Sequence, residues 1–376
     1  MLTVERLGLY LHIPFCQSIC NYCNFNRGLL DSTLKARYVS ALEAEIRRAG
    51  CGALVDTIYF GGGTPSLLAS EEIFCLVKAC REAFNVEGDA EVTLEVNPET
   101  VTVETVSGWG NAGVNRVSLG VQSFHDSELQ RLGRCHTAER ARNAISLTCA
   151  AGFDVSVDLM LWLPMQTPDG CASSIDTLVK LRPDHASLYI LELYPNAPLK
   201  EEMARAGWSQ APDDDAAAMY LDTLAQTDAA GYEHYEISNI AQPGKRCRHN
   251  LKYWSDGAWL GFGCGAHSTR DGVRWRNAAD TNDYIDAINN ESSPVVERRS
   301  LTNDEQLGDT LFMGLRMVEG VDLERVGFRW GIDVMGRYGA LLEPFLQAGM
   351  LVHSDGRLKL TREGMLLSNE VMKTFV

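Results

Sequence analysis

His12-Ile13-Pro14-Phe15-Cys16-Gln17-Ser18-Ile19-Cys20-Asn21-Tyr22-Cys23 is the stretch that decides how this chain folds. It follows an apolar run, Gly8 to Ile13, and sets three thiols at CxxxCxxC spacing. A closed cube of iron and sulfur takes four ligands. Three leave one iron open to a non-protein partner, so a cluster here has chemistry available beyond electron carriage. A strand that runs straight into a ligand-bearing loop suits a barrel whose site gathers at the C-terminal ends of its strands. The plainer alternatives are a zinc site or incidental thiols. Zinc takes a fourth Cys or His at short spacing, commonly in a second pair, and none follows soon after Cys23.

Working outward, strand-like apolar segments recur at Gly8–Ile13, Asp56–Phe60, Glu91–Val96, Asn115–Gly120, Asp154–Leu161 and Ala186–Leu191. Helix-compatible stretches lie between them, such as Leu34–Arg48, Glu71–Phe84, Ala138–Ala151 and Ser173–Leu181. Six strand-then-helix units in a row predict an α/β fold with a parallel sheet and right-handed crossovers, a partial (β/α)6 barrel rather than a closed eightfold one. Residues 1–235 are read as this core. Residues 236–300 form an extension rich in Gly, aromatics and His, and end in a connector, Asn289–Thr302, with Ser292-Ser293-Pro294. Residues 301–376 are read as a smaller helical, winged-helix-like domain whose wing is Leu351–Leu360. Lys200–Gly231 is expected to be helical.

Composition sets the class. The chain has 376 residues, 45% apolar and 22% charged, which is ordinary for a globular protein able to bury a large core. Its 11 cysteines are odd in number and scattered, which favours a reducing compartment and predicts a cytoplasmic protein. The start, Met1-Leu2-Thr3-Val4-Glu5-Arg6, lacks the pattern of a signal peptide. No apolar run approaches the roughly 18 residues a spanning helix needs. A formal net charge of −16 argues against nucleic acid as a partner, since phosphate binding needs a positive surface.

Each strand end carries something chemically useful. The second runs into Gly61-Gly62-Gly63-Thr64-Pro65, where glycines let the backbone approach a ligand and carbonyls can accept from an ammonium group. The third ends in Glu95-Val96-Asn97-Pro98, the fourth in Gly120-Val121-Gln122-Ser123-Phe124, and the fifth contains Asp158. A polar side chain inside an apolar strand is costly to bury without a partner. At a barrel mouth that partner can be a ligand's hydroxyls or amine. The alternative is that these groups satisfy loop backbone or pair with Arg116 or Arg134.

The three-Cys loop, with an aromatic at Tyr22, resembles the radical S-adenosylmethionine (radical SAM) superfamily, in which the open iron chelates the methionyl group of SAM. The resemblance then narrows. Tyr10–Cys16, Phe60–Pro65, Glu95–Pro98, Val117–Phe124, Leu132-Gly133-Arg134-Cys135-His136 and Val157–Met160 are similar to the oxygen-independent coproporphyrinogen III oxidase family. Tyr235-Glu236-Ile237-Ser238-Asn239 and His249-Asn250-Leu251-Lys252-Tyr253-Trp254 resemble its heme-chaperone branch, as do Gly261–Ser268 and Leu311–Arg316.

The resemblance implies a [4Fe-4S] cluster on Cys16, Cys20 and Cys23. It places Tyr10, Gly62, Gly63, Thr64 and Glu95 around SAM. Tyr22, Gln122, Arg134 and Asp158 match positions bordering a second SAM or the substrate. The chain departs from the family at Leu161-Trp162-Leu163-Pro164-Met165, where Tyr-Gly-Leu-Pro-Gly is expected, which puts a second SAM site in doubt. Phe25 stands where the oxidase branch has one more Cys, and only fifteen residues precede Cys16, where that branch has a long extension. Coproporphyrinogen decarboxylation is therefore expected to be absent, and no catalytic residue is assigned.

The implied function is a heme chaperone, with heme as cargo and heme-accepting proteins, membrane-associated ones among them, as partners. The alternatives are the oxidase itself and a zinc-stabilised binding module. By spacing alone, His249 suits a turn cap with its aromatics in the core. With the resemblance, His249 becomes a candidate axial ligand, Tyr253 shares its helix face at i+4, and Trp254 offers a surface to a porphyrin. Cys247 is a second candidate ligand, and Arg246 or Arg248 could pair with propionates.

Overall fold

Six strands carry two faces of opposite character, and that alternation builds the interior of the molecule. The computed structural model describes residues 5–195 and 197–376. It sets β1 (Leu7–Ile13), β2 (Leu54–Gly62), β3 (Asn85–Val96), β4 (Arg116–Gln122), β5 (Asp154–Leu161) and β6 (His185–Ile190) side by side and parallel. Outward residues such as Leu7, Leu9, Leu11, Val117, Leu119, Val155 and Val157 are fully buried under helices. The alternate residues are Gly8, Tyr10 and His12 on β1, Thr57, Tyr59 and Gly61 on β2, and Ser156, Asp158 and Met160 on β5. A parallel sheet covered on both faces normally reads as continuous apolar runs. A polar inner face instead marks an interior that holds ligands and hydrogen bonds.

The crossover helices are α1 (Ser32–Arg48), α2 (Ser70–Ala83), α3 (Val103–Asn111), α4 (Ala138–Ala150) and α5 (Pro168–Leu181). Asp31, Thr102, Thr137 and Thr167 each accept an amide of the first turn, which fixes where four of them start. Tyr38, Leu42 and Ile46 lie one helical turn apart on α1 and are fully buried, as an amphipathic helix on a sheet requires. The expected partial (β/α)6 barrel is the observed core.

The stretch expected to be helical over Lys200–Gly231 splits into Pro198–Ala206 and α6 (Asp213–Ala229). Gly207 closes the first in the left-handed conformation, and Pro212 precedes the second. The extension adds strands to both edges of the sheet. Beyond β6 lie β7 (Glu233–Glu236) and β8 (Asn239–Ala241), both antiparallel. Beyond β1 come β9 (Trp259–Phe262), parallel, then β10 (His267–Arg270), β11 (Val273–Asn277) and β12 (Val295–Ser300). The stretch read as a connector therefore carries an edge strand, β12. Short strands with distant partners leave little periodicity to read.

The last segment pairs Leu351–Ser354 with Arg357–Leu360 as the expected wing, turned at Asp355 and Gly356, both at positive φ. It is tied to the barrel edge by Ile237 N donating to Arg316 O at 3.1 Å and Val318 N to Tyr235 O at 3.1 Å.

The floor of the barrel is α7 (Arg248–Trp254), the segment singled out for heme. Glu91 at the base of β3 accepts from Arg248 N at 2.9 Å and His249 N at 3.0 Å. Lys252 donates to Arg6 O at 2.9 Å and pairs with Asp56 at 2.6 Å. The helix is stitched to the N-terminal ends of the strands.

Trp162 and Met165, which stand where the family has glycines, both hold φ at +61°. The backbone keeps the path that glycine would take, and the side chains bear the strain. Segment 209–211 clamps it: Trp162 Nε1 donates to Ala211 O at 2.8 Å and Met165 N to Ser209 O at 2.8 Å. Met165 is half exposed, so its replacement isolates the backbone effect. Met165→Gly should exceed Met165→Ala in stability to urea by about 1 kcal/mol. Equal midpoints for the two variants would mean that no strain is stored there.

Candidate functional site

Parallel strands that end together present their loops together, and here those loops enclose a cavity of about 1010 Å³. The loop after β1 brings Cys16, Cys20 and Cys23 to one wall. Its base is closed by Phe15–Cys16 pairing with Gly28–Leu29. Cys23 N donates to Cys20 O at 3.2 Å, and Arg27 donates to the carbonyls of Cys23 and Phe25. Cys16 is buried, and the other two thiols are partly exposed. A Cβ on Gly63 would fall 2.8 Å from Phe15 O and 3.0 Å from Cys16 Sγ, so only glycine lets the β2 loop come this close to the thiol loop.

Among the described residues, no three His, Cys, Asp or Glu close around a single ion. A cube of iron and sulfur spaces its thiolates more widely than one ion does. Three thiols on one loop, facing a cavity, fit that wider set.

Next to the thiols the wall is acidic. Glu95 accepts from Tyr59 OH at 2.9 Å and from Gly62 N at 3.0 Å. Burial, with Asp158 nearby, pushes its carboxyl up to about 7. Asp158 meets Ser118 Oγ at 3.3 Å, and burial raises its carboxyl too. Arg134 reaches across the mouth, donating to Gly120 O at 2.6 Å, Asn97 Oδ1 at 2.8 Å and Cys20 Sγ at 3.4 Å. Asn97 Nδ2 donates to Thr64 Oγ1 at 3.3 Å. Gln122 turns into the cavity from a left-handed backbone, φ +67°. Two half-buried carboxyls beside a glycine-rich strand end suit a cationic ligand with an ammonium group and hydroxyls.

Of the residues expected at this site, Cys16, Cys20, Cys23, Tyr22, Gly62, Gly63, Thr64, Glu95, Gln122, Arg134 and Asp158 all line the one cavity. Tyr10 does not. It sits a layer below, with its hydroxyl 3.2 Å from His12 Nδ1 and its ring stacked on Tyr59 at 6.1 Å.

The trio expected to meet heme, His249, Tyr253 and Trp254, does not line the cavity either. His249 is fully buried in the floor, with Nδ1 2.8 Å from Thr57 Oγ1 and Nε2 2.9 Å from Tyr253 OH. Burial, helped by Lys252 and Arg116, lowers its pKa to about 3 and keeps it neutral. With both ring nitrogens bonded, it has no lone pair for iron in this conformation. Tyr253 packs edge-on against Trp259 at 4.7 Å, and Trp254 lies under Arg316 at 4.3 Å. Cys247 is buried against Glu91. Spacing gave the correct pairing of His249 with Tyr253 and favoured the core setting of its aromatics; the axial-ligand role came from the resemblance.

Sequence reading missed Ser118, Met160, Tyr189 and Arg316 as wall residues. The period-two pattern along β5 and β6 could have found Met160 and Tyr189, since each continues an inward row: Ser156, Asp158, Met160 and His185, Ser187, Tyr189. Arg316 ends the Leu311–Arg316 stretch that carries the resemblance, but nothing local assigns it to the cavity. Among the described residues, no helix is long and apolar enough to cross a membrane.

Comparison with known proteins identifies the family and the fold. The Radical SAM superfamily model covers residues 10–178, and the HemN C-terminal domain model covers residues 301–367. A protein named heme chaperone HemW from Bacillus subtilis (strain 168) is 35% identical, covering 98% of both chains. Its namesake in Mycobacterium tuberculosis (strain ATCC 25618 / H37Rv) is 36% identical over 99% of this chain and 95% of that one. The solved Escherichia coli coproporphyrinogen III oxidase HemN, a radical SAM enzyme, superposes with a TM-score of 0.88 over 99% of this chain and 91% of its own. At 24% identity, that likeness speaks for the fold. Relatives of this identity along the whole length place the chain in the HemW family of radical SAM proteins.

Proposed function

We propose that this protein binds heme and passes it to heme-dependent proteins, while carrying a [4Fe-4S] cluster on Cys16, Cys20 and Cys23 with SAM at the open iron. One observation carries the reading: three thiols of one loop open onto a cavity whose lining joins the carboxyls of Glu95 and Asp158 with apolar and aromatic side chains such as Tyr189, Ile190, Leu191 and Leu193. At about 1010 Å³ the cavity reaches the top of the roughly 300–1,000 Å³ range of sites that enclose one small ligand. A bound cluster supplies a reducing electron to the sulfonium of SAM. The chain's own residues do the holding. Glu95 and the backbone around Gly62 and Gly63 receive an ammonium group. Asp158, Ser118 and Gln122 offer partners to hydroxyls, and Arg134 answers a carboxylate.

The oxidase reading has less support. Phe25, 64% exposed at the cavity rim, stands where the oxidase branch carries its additional Cys. All eleven cysteines are free, which supports a reducing, cytoplasmic setting.

Three outcomes are expected. Anaerobic reconstitution should load about four irons and four sulfides per chain. Changing Cys16, Cys20 and Cys23 together to Ala should abolish them, whereas changing exposed Cys51 and Cys75 to Ser should not. Iron retained in the triple variant removes these ligands from consideration.

SAM affinity should depend on pH through Glu95. Its carboxyl, raised to about 7, is largely protonated at pH 6 and must ionise to receive an ammonium. Binding then releases a proton, and affinity falls as pH drops below 7, by up to about tenfold per unit. Calorimetry in buffers of different ionisation enthalpy reads both effects. A flat profile from pH 6 to 7, with no proton released, would exclude Glu95 from the ammonium site.

Finally, with SAM under anaerobic reducing conditions, coproporphyrinogen III should stay undecarboxylated while preloaded heme moves to an apo-heme protein. Multiple turnovers to protoporphyrinogen would sink the chaperone reading in favour of the oxidase.

A further inference from the structure

We propose that Arg316 is the carboxylate anchor of the cargo site, so that heme sits against the part of the cavity wall that the C-terminal segment supplies. The inference rests on the chaperone reading and assigns its cargo a place.

Three cationic side chains line the cavity among the described residues: Arg27, Arg134 and Arg316. The first two serve the thiol end, where Arg27 donates to the carbonyl of Cys23 and Arg134, beside Cys20 Sγ, is assigned to the carboxylate of SAM. Arg316 lines the same cavity as Tyr189, Glu192, Leu193, Tyr194 and Met365. An amphipathic ligand with a broad apolar body and carboxylates at one edge matches a lining that sets one cation beside apolar and aromatic side chains. Heme has that form.

Arg316 is also built to be held still. One Nη donates to Glu236 Oε1 at 2.5 Å, and Glu236 is fully buried. The other oxygen of Glu236 accepts from Asn239 Nδ2 at 2.5 Å and Ser238 N at 3.2 Å. The guanidinium lies 4.3 Å from the Trp254 ring centroid, and its backbone carbonyl accepts from Ile237 N at 3.1 Å. Yet its Nε is buried with no acceptor. A guanidinium has five N–H donors, and one carboxylate oxygen does not use them. A second carboxylate on the cavity side would meet a donor group already fixed in place, the arrangement in which charge-assisted bonds are strongest. Ser368 and Asn369, on the same wall, add neutral donors.

The test is a cycle across protein and ligand, read by Soret titration. Arg316→Met alone leaves Glu236 buried without its partner and risks misfolding. The working variant is therefore Arg316→Met with Glu236→Gln, which removes both charges, and Arg316→Lys keeps the charge while losing the fork. Heme and its dimethyl ester are titrated into each protein after circular dichroism has shown the fold intact.

Wild type should bind heme at least about tenfold more tightly than the ester, and the double variant should bind both equally weakly. Arg316→Lys should fall between. A double variant that still prefers heme to its ester, or that binds heme as wild type does, overturns the anchor while leaving the chaperone reading intact. Wild type that binds no heme at all overturns both.

Discussion

Glu91 makes the contact on which the rest of this interior depends. A helix begins with amides that have no partner inside it, and the residue before α7, Cys247, provides no side-chain cap. Glu91 reaches from the base of β3 and takes two of those amides. This fixes α7 across the end of the barrel and lays the His249 ring on Tyr59 at 5.0 Å. The Tyr59 hydroxyl then holds Glu95, and Glu95 holds the Gly62 amide at the edge of the cavity. One carboxylate at the floor is thereby linked, through two rings, to the carboxyl proposed to receive the ligand's ammonium. Each partner in that column is satisfied by the next, which is how a polar interior becomes rigid.

The HNxxYW segment gains a role from this. Its histidine is neutral, stacked and doubly bonded, and its lysine ties the helix to Asp56. The tyrosine and tryptophan carry the same contacts outward, to Trp259 and to Arg316. The motif reads as the base plate of the barrel, holding Tyr59 from below and Arg316 from the side. For His249 to bind iron, α7 would have to leave the floor and expose Glu91 and Thr57 without partners, at a cost of several buried hydrogen bonds.

Much of the core was legible because its signals are local. CxxxCxxC after a strand, glycines after the next, and acids at strand ends each declare themselves within ten residues. Six βα units repeat often enough to be counted, and nearly every site residue read this way lies on one cavity wall. Illegible parts depend on contacts far apart in sequence. β9 lies beside β1 although about 250 residues separate them. Glu236 and Arg316 meet across 80 residues. His249 shows why motif chemistry alone misleads: spacing gave its partner Tyr253, while burial, which decides whether a nitrogen is free, belongs to tertiary structure. At Trp162 and Met165 sequence gave the right alarm, loss of glycine, but not its resolution, because the clamp comes from residues 209–211.

The cavity's charge is divided in a way that gives its two ends different tasks. Glu95 and Asp158 make the thiol end a place for cations. Arg316 makes its own part of the wall a place for an anion. The C-terminal segment, which carries Arg316, is joined to the barrel and its extension by backbone bonds at Ile237 and Val318 and by the pairs Arg316–Glu236, Arg246–Glu319 and Arg362–Asp228. Arg316 lies within that joint. The contacts that hold Arg316, to Glu236 and Trp254, are separate from those that hold Glu95 and Arg134, to Tyr59 and Asn97, so different parts of the chain fix the two kinds of charge in the cavity.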